Sequence, residues 1–339
     1  MASATWTTPN LEATSPTPGP SRLPADEARG AFLADVIAGL DHRPRTLPSR
    51  YFYDARGSRL FEWITQLPDY YLTRTEREIL ERDGEALAAR FAGASCTVVD
   101  LGAGDGHKSR LILERLQSRC RSLVYAPIDV SGEALDEASA RVRERWPDIR
   151  VRPIHGEYRD GLRQLAAQRG RGPRLVLFVG SSIGNLEWSA AVAFLRELRG
   201  ALRPADHALV GFDLVKPLDV LRRAYDDPQG VTRAFNLNLL ARMNRELGAD
   251  FDLGGFRHRA TWDPRRPAME SWLESRRRQT VHLAGRAIEL APHERIHTEI
   301  SWKYTPAQVG GLAREAGFRE VERFTDARQW FVDALWRVD

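Results

Sequence analysis

Residues 98–111, VVDLGAGDGHKSRL, constrain the fold more than any other stretch. Val98, Val99 and Leu101 around Asp100 read as a buried strand. Gly102, Gly104 and Gly106 follow, and Ser109 to Leu116 has helical spacing. Strand, tight turn and helix in that order is the repeating unit of a parallel α/β sheet. Glycines carry no Cβ, so this backbone can pass close to a bulky ligand. The loop is not the dinucleotide fingerprint G-x-G-x-x-G, because His107 stands where its last glycine belongs.

The same rhythm continues downstream. The pattern predicts strands at 96–101, 122–128, 150–154, 174–180 and 207–214. Helices are predicted between them at 108–119, 132–145, 159–168 and 189–202. Repeated βα units give a doubly wound, Rossmann-like α/β sheet. Ligands in such sheets bind beyond the carboxyl ends of the strands. Each end here carries small or polar residues: Asp100 with the glycine loop, Asp129, Gly156-Glu157-Tyr158, Gly180 to Asn185, and Asp213 to Lys216. An acid at the end of the second strand can accept hydrogen bonds from ribose hydroxyls. A carboxylate beside an aromatic suits an adenine edge and face. Five such ends in succession say more than the loop alone.

The flanks break the alternation. Residues 1–24, rich in Ser, Thr, Pro and Ala, are expected to be a disordered tail. Residues 25–41 and 75–92 are predicted helices, and residues 47–76 are crowded with aromatics. Residues 217–302 are predicted to hold a helix at 232–247, a polar aromatic stretch, and strand-like runs at 279–290 and 296–304. A helix and two closing strand-like runs, 318–324 and 329–337, end the chain, one strand being antiparallel. The division this suggests is a second lobe from 25–73 plus 216–302, and a sheet domain from 74–215 plus 303–339.

Composition excludes several classes. No apolar run approaches a membrane span, and no signal peptide is visible. The two cysteines, Cys96 and Cys120, lack metal-ligand spacing and suit a reducing cytoplasm. Fifty basic residues face 46 acidic ones, interspersed, so the basic balance does not form a nucleic-acid stripe. Among the basic residues only Lys108, Lys216 and Lys303 are lysines, and each lies in a stretch picked out on other grounds.

Several long motifs now converge. YFYDARGSRLFEWITQLPDYYLTRTE, LGAGDGHKS, FVGSSIGNL, GFDLVK with AYDD, and HTEISWKY resemble the histidine Nα-methyltransferases of ergothioneine biosynthesis. The resemblance runs from about residue 25 to the last residue. It implies a Rossmann-like class I methyltransferase domain, a family-specific substrate lobe, and S-adenosylmethionine as methyl donor with no metal. The implied reaction is three methyl transfers to the α-amino group of L-histidine, giving hercynine. By the same resemblance Gly102, Lys108, Asp129, Glu157 and Tyr158 would hold S-adenosylmethionine. Tyr70 and Asn185 would hold the substrate amine, and Asn185 with Tyr225 its carboxylate. Glu299 and Ser301 would bind the imidazole, and Tyr53 would act through water on the amine proton. The family often has Asp-Phe where Glu157-Tyr158 stands. It often has methionine at Ser271, and Ile300 and Trp302 flank Ser301. A shorter residue 271 would widen the pocket.

The residue types suit the chemistry. Displacement at a sulfonium carbon has its leaving group built in, so the protein mainly positions and desolvates the reactants. The nucleophile must be the neutral amine. Tyr70 and Asn185 can hold it without locking it as ammonium, as a carboxylate would. Glu299 and Ser301, two apart on a strand, share a face.

Rival readings remain open at this point. HERIH, residues 293–297, matches the zinc-peptidase pattern H-E-x-x-H. Pro292 and the alternation of Ile296, Ile300, Trp302 and Tyr304 favour a strand there, which separates the histidines by roughly 13 Å. A nucleic-acid methyltransferase has only the basic pI behind it, and a degenerate binding module is opposed by the intact strand ends. Nα-methylation of another amino acid, such as tryptophan, is the nearest competitor. The expectation is a cytoplasmic, monomeric enzyme with a small-molecule substrate and neither nucleic acid nor membrane as partner.

Overall fold

The computed structural model describes residues 25–167 and 172–339. The tail expected over residues 1–24 lies outside them. The chain opens with α1 (Ala25–Asp41), the short strand β1 (Arg45–Thr46), α2 (Ala55–Gln66) and α3 (Leu72–Ala89). Asp54 caps α2 by accepting from the Gly57 amide at 2.7 Å. Leu67, extended before Pro68, ends it.

Then come β2 (Ser95–Leu101), α4 (His107–Arg119), β3 (Ser122–Asp129) and α5 (Gly132–Arg145). Next are β4 (Arg150–Val151), β5 (Ile154–His155), α6 (Tyr158–Ala167), β6 (Arg174–Phe178), α7 (Trp188–Ala201) and β7 (His207–Asp213). These match the predicted elements, with one difference. The strand expected at 150–154 is split into β4 and β5, because Pro153 has no N–H to give the ladder.

The remaining elements are α8 (Leu218–Tyr225), α9 (Val231–Leu247), β8 (Phe256–Asp263), β9 (Ala268–Ser275), β10 (Gln279–Leu283), β11 (Arg286–Leu290), β12 (Arg295–Trp302), α10 (Pro306–Glu315), β13 (Arg319–Thr325) and β14 (Phe331–Arg337). The run expected at 279–290 is a hairpin, turned by Ala284 and Gly285 at φ 49° and 74°. The polar aromatic stretch holds the paired strands β8 and β9. Arg257 and Arg259 on β8 reach Glu274 on β9, so cross-strand charge pairing conceals the strand alternation.

The large sheet runs β13-β14-β7-β6-β2-β3-β4, with β5 beside β3. β3, β2, β6 and β7 are parallel neighbours, and β14 is antiparallel between β7 and β13. β2 shows why the sheet is covered on both faces. Val98 packs with Ile112 and Leu116 on one side, while Val99 joins Phe178 and Leu195 on the other. Each such buried side chain stabilises the fold by ~1.5–3 kcal/mol.

A smaller sheet, β1-β12-β9-β8, forms a second layer. β1 pairs in parallel with β12, Arg45 opposite Ile296. Phe32 and Phe52 from the first part of the chain share a core with Phe235, Leu239, Leu273 and Ile296. The end of β12 is tied to the end of β7: the Tyr304 amide donates to Asp213 O at 2.8 Å and the Val215 amide to Tyr304 O at 3.0 Å. The second layer therefore sits over the carboxyl ends of the large sheet. No helix among the described residues is long and apolar enough to cross a membrane.

Candidate active site

The glycine loop is built by three left-handed residues, Gly102, Gly104 and Gly106, at φ 75°, 54° and 69°. Other residues rarely adopt this backbone. The Gly104 amide donates to Asp129 Oδ2 at 2.8 Å, and the Ser131 amide donates to Oδ1 at 2.8 Å. Asp129 thus fixes the loop and keeps lone pairs spare for a diol. Burial raises its pKa above the ordinary carboxylate value, against these amide bonds. The Tyr158 hydroxyl lies over Gly102, where a Cβ would come within 2.8 Å of it. Asp100, under the loop, is pushed up to about 6 by burial and accepts from Tyr125 at 2.9 Å. Glu157 lies at the rim, 3.6 Å from Arg50, with both side chains exposed.

Lys108, the second residue of α4, is not free. Its ammonium sits 2.5 Å from Glu76 Oε2 on α3, whose carboxylate is wholly buried. Glu76 Oε1 accepts the Gly180 amide at 2.6 Å. Gly180 is left-handed at φ 80°, and a Cβ there would come 2.9 Å from Lys108 Nζ. Helix, loop and strand end are tied through one carboxylate.

The opposite wall comes from β12. Its register against β9 shifts between His297, opposite Trp272, and Glu299, opposite Ser271. The extra residue, Thr298, is buried and donates to Asn236 Oδ1 at 2.8 Å. The bulge turns His297 to the far face, where its ring lies 4.7 Å from that of Trp272. Glu299 and Ser301 remain on the near face. Ser271 Oγ donates to Glu299 Oε2 at 3.4 Å. Burial pushes Glu299 up to about 7, with Lys303 and Ser271 opposing.

Tyrosines close the space between the two walls. Burial raises both Tyr53 and Tyr70 well above the ordinary phenol value. The charge of Glu299 acts on both; Tyr53 also feels Asp129, and Tyr70 feels Tyr225. Tyr53 packs edge-on against Phe61 and Phe235, at 5.6 and 5.8 Å. The Tyr225 hydroxyl, at the end of α8, lies 2.7 Å from Ser301 Oγ. Asn185 ends the turn Ser182–Asn185 after β6. That turn is seated on β12, since a Cβ at Gly184 would come 3.0 Å from the Trp302 carbonyl oxygen.

Beneath this space lies a buried ionic group: the sequence reading took Asp213 to Lys216 as a ligand-facing strand end, but these two side chains are buried and paired with each other. Asp213 is flanked by Lys303 at 2.9 Å and by Lys216, and Tyr71 donates to its Oδ2 at 2.6 Å. Burial alone would raise Asp213; the two ammoniums hold it below the ordinary value. Burial lowers Lys216 to about 8. The available signal was the lysines themselves: all three sit on buried carboxylates.

The residues present fit a sulfonium nucleotide. They provide a left-handed glycine loop, an acid with spare acceptors at the next strand end, and a tyrosine face beside it. A family profile described as "Histidine-specific methyltransferase, SAM-dependent" matches residues 32–338. The chain belongs to this methyltransferase family. The histidine-specific methyltransferases include two relatives named histidine N-alpha-methyltransferase. That of Mycolicibacterium smegmatis is 43% identical over 90% of this chain and 94% of the relative. That of Mycobacterium tuberculosis is 38% identical over the same shares, 90% and 94%. Ergothioneine biosynthesis protein 1 of Neurospora crassa is 31% identical over 86% of this chain but only 33% of its own length. The chain is thus an S-adenosylmethionine-dependent N-methyltransferase on a Rossmann-like class I fold.

Against this family background the zinc-peptidase alternative fails on geometry. His293 is in a turn at φ 65°, with Nδ1 3.1 Å from Glu274, while His297 is on a strand against Trp272. Glu294, the acid of HERIH, pairs with Arg45 at 2.7 Å. The helical turn that would present both histidines to one ion is not formed. Among the described residues no group of three or more His, Cys, Asp or Glu is placed to hold a metal.

Proposed function

We propose that this methyltransferase carries three methyl groups in succession to the α-amino nitrogen of free L-histidine, giving hercynine, the first step of ergothioneine biosynthesis. The observation that carries the reading is the face shared by Glu299 and Ser301, with Tyr225 bonded to Ser301 and the charge of Glu299 felt by Tyr53 and Tyr70. An acceptor and a hydroxyl two residues apart match the two nitrogens of an imidazole. The relatives named histidine N-alpha-methyltransferase support the same substrate.

When bound, S-adenosylmethionine supplies a methyl group on a sulfonium. Gly102, Asp129, Glu157 and Tyr158 would hold its nucleoside part, and Lys108, held by Glu76, its charged end. Tyr70 and Asn185 would hold the amine, and Asn185 and Tyr225 the carboxylate. Tyr53 is a phenol whose proton stays on at neutral pH, so it would orient a water that receives the amine proton rather than remove it outright. Enclosure between two layers excludes bulk water from the reacting nitrogen.

In this reading residues 25–73 and 216–302 are the substrate lobe, and residues 74–215 and 303–339 the donor-binding domain. The enzyme is a cytoplasmic monomer acting on small molecules, with neither nucleic acid nor membrane as partner. Mass spectrometry of protein incubated with S-adenosylmethionine and the twenty amino acids tests the reaction. The expected product is histidine heavier by three methyl groups. Methylation of tryptophan instead would overturn the substrate and point to Ser271. Modification of none would overturn the reaction.

A further inference from the structure

Lys303 lies directly behind the proposed substrate face, with its side chain fully buried. Its ammonium reaches three oxygens: the Tyr225 hydroxyl at 2.7 Å, Ser301 Oγ at 2.7 Å, and Asp213 Oδ2 at 2.9 Å. An ammonium has three N–H donors and no acceptor, so this set saturates it. Each hydroxyl therefore gives a lone pair to Lys303 and cannot donate its own proton there. The two hydroxyl oxygens are 2.7 Å apart, so one donates to the other. One proton remains, and it can only point out of the network.

Asp213 does not need Lys303 to be neutralised. Lys216 also pairs with it, and Tyr71 donates to it. One lysine would satisfy this carboxylate, and the charge of the second also opposes the rise of Glu299. What the second adds is polarity. Without it, Ser301 could accept a hydrogen bond from a ligand as readily as donate one.

We propose that Lys303 is a positioning residue that sets substrate specificity, by forcing the Tyr225–Ser301 pair to act as an outward hydrogen-bond donor. The inference rests on the histidine reading of this pocket. With Tyr225 donating to Ser301, Glu299 supplies an acceptor and Ser301, holding the pair's remaining proton, a compulsory donor. Such a pair selects a ring with one N–H and one bare nitrogen, which is neutral imidazole. An indole or pyrrole offers only the N–H, and its other edge would leave the donor unpaired.

The experiment compares histidine with 3-(pyrrol-2-yl)alanine and 3-(pyrrol-3-yl)alanine. Each keeps one ring N–H and lacks the other nitrogen. The expected kcat/KM of wild type favours histidine over the better pyrrole by about a hundredfold. In Lys303→Met the ratio is expected to shrink to less than about tenfold, mainly through a raised histidine KM. Lys303→Gln decides the case if the methionine variant does not fold. Its carbonyl accepts from a hydroxyl, draws the proton inward, and should also erase the preference. Calorimetric binding of S-adenosylmethionine, which needs neither Ser301 nor Tyr225, reports whether each variant is folded. Retention of the full preference in a folded variant overturns the role of Lys303 and leaves the histidine reading intact. Failure of wild type to methylate histidine overturns that reading itself, and this inference with it.

Discussion

Glu76 Oε1 accepts the amide hydrogen of Gly180 at 2.6 Å, tying α3 to the turn after β6. Its other oxygen holds Lys108. A third group crowds it, because a Cβ at Gly211 would meet both Glu76 Oε1 at 2.6 Å and Asp333 Oδ1 at 3.2 Å. Burial, followed by the charge of Glu76, pushes Asp333 well above the ordinary carboxylate value, which favours its protonated form. Glu76→Ala strands a lysine and is expected to cost ~3–5 kcal/mol in chemical denaturation. Asp333→Asn keeps a neutral group that can donate to Glu76, and should cost under about 1 kcal/mol. Equal losses in the two variants would contradict this division of charge.

Glu299 makes stability depend on pH in a defined sense. Its pKa rises from 4.5 to about 7 on folding, chiefly through burial. The folded protein holds a proton there that the unfolded chain releases. The stability from this group is complete below about pH 4.5 and is lost as pH rises through about 7. The denaturation midpoint of ligand-free wild type should therefore fall across that window, and Glu299→Gln should flatten the fall. Bound histidine has the opposite sign. A ring N–H favours the ionised carboxylate, so the histidine KM should decrease as pH rises through 7 in wild type but not in the glutamine variant.

Asp129 orders the glycine loop through Oδ2 and its own turn before α5 through Oδ1. In Asp129→Asn one loop amide would face an NH2 group. S-adenosylmethionine affinity, measured by calorimetry without substrate, is expected to fall roughly 10- to 100-fold. Unchanged affinity would remove Asp129 from the donor site.

The two pocket phenols should separate kinetically. Tyr70→Phe, which loses a contact to the amine, is expected to lower kcat/KM for histidine about 10- to 100-fold with donor affinity unchanged. Tyr53→Phe should reduce kcat more than it alters KM, since its role is in releasing the proton. The reverse split would exchange their assignments.

No step in this scheme calls on a metal ion. Full activity is expected after exhaustive chelation, and His293→Ala should alter kcat/KM by less than about twofold, as an exposed substitution away from the site. Activity that vanished on chelation and returned with zinc would reopen the peptidase-like motif.

Much of the proposed donor half was legible because it is local. A strand, its terminal acid and the following glycines are contiguous, so alternation alone places Asp100, Asp129 and Tyr158 at one end of the sheet. The substrate half is assembled from distant pieces. Tyr53, Tyr70, Tyr225 and Ser301 meet only through pairing of β1 with β12 and docking of β12 on β7. Their candidacy therefore rested on long motifs rather than on periodicity. Alternation also misjudged β12. It predicts His297 beside Glu299, whereas the bulge at Thr298 turns them to opposite faces. Nothing local announces that bulge, because its driving contact is with Asn236, 62 residues away. Glu76 was missed for a similar reason: on a helix full of surface charge, its burial is set by a strand end it does not adjoin in sequence.

The inner place of β14 also bears on how the protein is made. The last strand inserts between β7 and β13 rather than adding at a rim. While the ribosome is still translating, β7 stands as an open edge lined by Leu209, Val210 and Phe212, which the finished protein buries completely. Such an edge readily recruits a foreign strand. Synthesis arrested before Phe331 should therefore yield an aggregating fragment rather than a smaller working enzyme. A chaperone holding the nascent chain until β14 has emerged should raise the yield of soluble protein more than one acting before β7 is made.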